Sequence, residues 1–156
     1  MPTTHAHISH SLHVLSQNNL LATLPVDELE RLHHHLELVP LPLGEVIYES
    51  GGKLSHVYFP TTAIVSLLYV MEDGASAEIA IVGNEGVIGV AVFMGGDTMP
   101  NLALVQSAGY AYRLKAQLLE QEFNRSLPMQ HLLLRYIPRH SSRKWRKRQY
   151  VIDIIR

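Results

Sequence analysis

A chain of 156 residues, 47% hydrophobic and 17% charged, is long enough for one domain with a true core and polar enough to be globular. The absence of cysteine excludes disulfides, thiolate metal sites and a cysteine nucleophile. The net charge of -1 conceals an asymmetry: from Arg135 onward there are eight Lys or Arg and one acid, Asp153, against five basic and thirteen acidic residues before it.

Residues 1–16 carry His5, His7, His10 and His13 among Thr and Ser without apolar periodicity, the pattern of a loose arm. The start also lacks the basic end and apolar centre of a secretion signal, and no apolar run reaches the roughly 18 residues of a membrane span. A cytoplasmic protein without membrane contact is therefore expected. Leu20, Leu21 and Leu24 form a short apolar turn, and Pro25-Val26-Asp27-Glu28 opens a helix with acids in its first turn, where they complement the helix dipole. Leu29, Leu32 and Leu36 continue it at helical spacing. His33, His34 and His35 are consecutive, so they point about 100° apart around a helix and cannot converge on one ion.

Pro40 and Pro42 end that pattern, and short β-type runs follow to Tyr112: GEVIYES, HVYFP, AIVSLLYVM, AEIAIV, VIGVAVF, LALVQ and YAYRL. Gly51-Gly52, Asp73-Gly74, the glycines of the 83–96 stretch and Ala108-Gly109 separate them. Seven short strands punctuated in this way predict a mainly β fold with flanking helices, an antiparallel roll or sandwich spanning about Leu38 to Leu114. The 83–96 stretch holds Gly83, Gly86, Gly89, Gly95 and Gly96 between β-branched residues, so its backbone turns sharply and approaches a neighbour closely. Spacing leaves two readings open: a chain turning corners in a roll, or a loop presenting backbone amides to an anion. Gly86-Val87-Ile88-Gly89 matches neither the dinucleotide fingerprint nor the P-loop. Lys115 to Asn124 returns to helical composition, and Pro128 starts a second helix through Met129, Leu132, Leu133 and Tyr136, which Pro138 is expected to interrupt.

This order of helix, roll, helix and helix, with LPLGEVIYESG, HVYFPTTAIVSLLYVMEDG and GNEGVIG, resembles the sensor domain of the cyclic AMP receptor protein (CRP/FNR) superfamily of bacterial transcription regulators. The likeness covers roughly Asn18 to Tyr136. It implies a jelly-roll-like β-roll of the cyclic-nucleotide-binding type over residues 17–137, with an effector pocket at Gly86, Val87, Ile88, Gly89, Val90, Asn101 and Ala103. It also implies a homodimer through the C-terminal helix and a helix-turn-helix that reads DNA.

The chain departs from that pattern twice. Relatives that bind cyclic nucleotides place a glutamate after a glycine for the ribose and an arginine for the cyclic phosphate; here Val90 follows Gly89, and the arginine position falls at about Asn101. Arg113 is the nearest downstream arginine, and Glu85 and Asp97 would only repel a phosphate. Loss of the guanidinium removes the strongest charge-assisted donor, so cyclic AMP is not the expected effector; another small molecule, or none, is. The second departure is that residues 138–156 form a basic tail too short for a helix-turn-helix, as a truncated reading frame would leave.

Two other classes of protein compete with this reading. A cupin-type metalloenzyme needs histidines and a carboxylate converging from strands, and only His56 lies among them. A non-specific nucleic-acid binder would use Arg143, Lys144, Trp145, Arg146, Lys147 and Arg148, whose charge holds phosphates and whose ring stacks a base; a solvated end or a short packing helix fits the same residues. No nucleophile with a positioned base emerges, so neither an enzyme nor a cofactor is expected.

Overall fold

In β7 (Gly109–Lys115) the side chains of Tyr112 and Leu114 pack into one core while Ala111 packs into another, the alternation that a strand buried on both faces produces. The computed structural model describes residues 14–89 and 101–140. β7 is the centre of a three-stranded antiparallel sheet in the order β1-β7-β3, with β1 at Glu37–Leu41 and β3 at His56–Pro60. The second sheet runs β2-β6-β4-β5, with β2 at Val46–Tyr48, β4 at Ile64–Val70, β5 at Ser76–Val82 and β6 at Leu102–Ser107. This is the expected antiparallel β-roll, and Ile64–Val70 is strand as its β-branched composition required.

Two cores follow from this layering. Between the sheets lie Leu41, Val65, Val82, Ile88, Val105 and Ala111. On the outer face of β7 and β3, Val57, Phe59, Tyr112 and Leu114 meet the helices α1 (Asn19–Ala22), α2 (Val26–His33), α3 (Ala116–Arg125) and α4 (Leu127–His140). Leu21, Leu29, Leu32, Leu119, Met129 and Leu133 supply the helical side. α2 begins after Pro25 with Asp27 and Glu28 in its first turn, and α4 is capped where the Ser126 hydroxyl accepts from the Met129 amide at 3.3 Å. Arg31 reaches Glu28 on its own helix and Glu122 on α3, tying the two together.

Several expectations are corrected. Leu15 is fully buried in the helical core, so it does not belong to a loose arm ending at Ser16; residues 1–13 lie outside the described residues. Leu36 is not helical, and Glu37–Leu41 is a strand despite Pro40, because β1 is an edge strand with one unpaired side where a missing N–H is tolerated. Among the described residues 87–89 of the expected 87–93 strand, Ile88 alone pairs, as an isolated bridge to Tyr58; residues 90–93 lie outside the described residues. Helix α4 continues through Pro138 to His140, the last described residue, since a proline removes one intrahelical hydrogen bond and leaves the earlier turns intact.

Asn18 joins the helical layer to the roll. Its side-chain oxygen accepts from the amides of Leu20 and Leu21 at 3.0 and 3.2 Å, while its Nδ2 donates to the carbonyls of Pro60 at 2.8 Å and Gly86 at 3.0 Å. Removing it strands two buried carbonyls and two helix-end amides at once. Asn18→Ala is expected to lower unfolding stability by about 3 kcal/mol in urea titration; a loss under about 1 kcal/mol would show that the junction is held elsewhere.

Candidate functional site

The residues that resemblance assigned to an effector pocket fall into two groups. Gly86 to Gly89 run along the free edge of β3, where the Ile88 amide donates to the Tyr58 carbonyl at 2.8 Å and the Tyr58 amide returns a bond to the Ile88 carbonyl at 3.0 Å. The Gly86 amide donates to the Gly83 carbonyl at 3.2 Å, and the Gly86 carbonyl is held by Asn18. Val87 packs into the helical core and Ile88 into the core between the sheets. The amides of Gly86 and Ile88 are thus committed within the chain. At these two residues the stretch turns a corner and seals a sheet edge, and does not cradle an anion.

Gly89 has φ +104, and a Cβ built there would strike Leu54 Cδ2 and lie 3.2 Å from Val57 Cγ1. Both the positive φ and the close approach require glycine. Val90 lies outside the described residues.

The second group begins β6. Asn101 is only 2% exposed and accepts a hydrogen bond at 2.9 Å from the Tyr48 hydroxyl on β2, and Ala103, fully buried, is paired with Tyr48 and with Leu67. The position that the resemblance matches to a phosphate-binding arginine is therefore part of a buried, neutral amide–phenol pair. Sequence reasoning did not find Tyr48. The register of β2 shifts between Val46, which is exposed, and Tyr48, which is buried, and nothing local signals a partner 53 residues away.

Arg113 does not compensate. On β7 it stands opposite Glu37 and Tyr58 and donates through Nε to the Glu37 carboxylate at 2.9 Å. That bond holds the Glu37 carboxyl below its usual range and raises the guanidinium further. Burial raises the Tyr112 phenol. Among the described residues no three His, Asp or Glu side chains converge as a metal site, and no helix is long and apolar enough to cross a membrane. Arg143, Lys144, Trp145, Arg146, Lys147 and Arg148 lie outside the described residues.

Comparison with known proteins agrees with this architecture. The cyclic nucleotide-binding domain family matches residues 38–126, more than half of the chain, and the chain belongs to that family. Among solved structures it is similar to the sensor domain of the transcriptional regulator DNR from Pseudomonas aeruginosa, with 15% identity, a TM-score of 0.71, and coverage of 86% of this chain and 91% of that one. The N-terminal domain of a transcriptional regulator from Streptomyces coelicolor A3(2) is similar at 22% identity and a TM-score of 0.61, covering 89% of this chain and 94% of that one. A regulatory subunit of a cAMP-independent protein kinase A from Trypanosoma cruzi, bound to guanosine, gives a TM-score of 0.75 at 16% identity; 99% of this chain corresponds to 53% of that subunit. Identities this low show a shared fold, and the chain spans about half of the kinase subunit's length. Comparison with curated protein sequences gives no match.

The geometry at Gly89 yields a double-mutant test. Gly89→Ala is expected to cost about 2 kcal/mol or more from backbone strain and the clash with Leu54 together. In a Leu54→Ala background the contact part should be recovered and the backbone part should persist, as read by urea unfolding of all four variants.

Proposed function

We propose that this chain is the regulatory sensor domain of a CRP/FNR-type transcription regulator whose pocket does not recognise a cyclic phosphate. The observation that carries this reading is the Tyr48–Asn101 pair, buried and uncharged where the phosphate would need a guanidinium. A phosphate placed in a partly desolvated pocket without charge-assisted donors loses its water and gains little in return. An uncharged effector avoids that cost. The guanosine bound by the trypanosomal subunit is a nucleoside carrying no phosphate, and a ligand of that kind suits an amide–phenol pair. The domain acts by binding and relaying, as a cytoplasmic non-enzymatic module.

Helix α4 supports a homodimer. Leu127 and Leu134, seven residues apart on one helical face, are 65% and 53% exposed, while Met129, Leu132 and Leu133 between them are buried against the domain. An apolar pair at heptad spacing on the face away from the core suits the same helix of a second copy. The basic run at 143–148 supports contacts with phosphates but no reading of bases.

Isothermal titration of the full chain with cyclic AMP or cyclic GMP is expected to give no binding at micromolar concentration. Tight binding of either would overturn the pocket reading. Sedimentation of the wild-type chain is expected to show a dimer, and Leu134→Glu a monomer with an unchanged circular dichroism spectrum; a wild-type monomer would remove α4 as the interface.

A further inference from the structure

The alternation that buries Ala111 between the sheets places Arg113 and Lys115 on that same face of β7. Toward this end of the strand the face leaves the core and opens as a cavity of about 220 Å³. Around it stand Arg113 and Lys115 from β7, His56 from β3, Glu37 from β1, His34 and His35 from the turn after α2, and the apolar side chain of Leu118 from α3. Register explains the gathering: Glu37 and Tyr58 flank Arg113, and His56 stands opposite Lys115. Arg113 gives its Nε to Glu37 and also bonds the Tyr58 side chain, and a guanidinium with five N–H groups keeps further donors for another acceptor. Lys115 has no counterpart carboxylate in the cavity. The permanent charges, two cations and one carboxylate, leave an excess of positive charge before any imidazole is protonated.

The geometry points to a second ligand site, separate from the effector pocket, that binds a small phosphate anion. Charge decides against a metal, since two cations line the cavity and its His and Glu side chains do not converge. Size decides against a nucleotide, because the volume is below the roughly 300–1,000 Å³ usual for small-molecule sites. Arginine, lysine and imidazolium are the donors that phosphate oxygens select.

The pH dependence has a definite sign. Burial, then the charges of Arg113 and Lys115, depress the His56 pKa from its ordinary value, and Glu37 opposes them only in part. The free site therefore disfavours the His56 imidazolium, whose Nδ1 lies 2.8 Å from the Ser55 hydroxyl. A bound dianion cancels the repulsion from Arg113 and Lys115 and favours the imidazolium, so binding takes up protons and strengthens as pH falls.

The test is isothermal titration of the full chain with pyrophosphate, and separately with glycerol phosphate, at pH 5.5 and 7.5 in buffers of different ionisation enthalpy. With sulfate as a further titrant, a dianion at both pH values, affinity is expected to rise at least about tenfold from pH 7.5 to 5.5 with net proton uptake. A phosphate group, whose second pKa is about 6, loses charge over the same range, so the two phosphates are ranked against each other at pH 7.5. Lys115→Gln and His56→Gln, each checked by circular dichroism, should weaken binding, and His56→Gln should also flatten the pH dependence. Tighter pyrophosphate assigns a free anion; tighter glycerol phosphate assigns a phosphomonoester. Sulfate affinity equal at both pH values, or affinity unchanged in both variants as the basic run at 143–148 would give, overturns the site.

Discussion

A single buried amide, that of Asn18, couples the two halves of this domain. Two of its bonds start the helical layer, and the other two satisfy carbonyls of the roll at Pro60 and Gly86. Beside it the Asn19 amide donates to the Asn84 carbonyl at 2.7 Å. Strand β3 is an edge strand, and an edge exposes unpaired backbone groups. Here the Ile88 bridge takes the groups of Tyr58, and Asn18 takes the carbonyl of Pro60. The helices, the edge of the sheet and the glycine turn are consequently fixed to one another through hydrogen bonds made in a dry environment, where leaving any of them unmade is costly.

That junction is also what gives the glycine stretch its form. Val87 enters the helical core and Ile88 the core between the sheets, so this short segment is a stitch between two hydrophobic layers. In a ligand-responsive domain such a stitch is a natural mechanical element, because anything that shifts the roll at Ile88 also displaces Val87 among the helices. The Tyr48–Asn101 pair lies at the border of the same roll, joining β2 to the start of β6.

The opposite end of β7 follows different physics. One face of a strand can be buried at Ala111 and solvated at Lys115 four residues later, because the facing sheet covers only part of its length. Cations at Arg113 and Lys115 mark where that cover stops, and the turn after α2 brings His34 and His35 to the same opening.

Local sequence determined much of this. Glycine punctuation and β-branched runs gave the strands from Val46 to Lys115, and Pro25 with Asp27 and Glu28 gave the start of α2, because turn chemistry and helix dipoles act over a few residues. An asparagine where the resemblance expects an arginine was equally legible, since it needs only the residue type at a matched position. Tertiary structure decided the rest. Pro40 reads as a breaker until β1 is known to be an edge strand, Leu15 reads as part of a polar arm until the helical core is assembled around it, and Pro138 reads as a helix end although α4 passes through it. Most of all, Tyr48 with Asn101, Asn18 with Pro60 and Gly86, and His34 and His35 with His56, Arg113 and Lys115 meet only through strand register and layer packing. Contacts between residues some 20 to 80 positions apart carry no local periodicity, so only the folded chain reveals them.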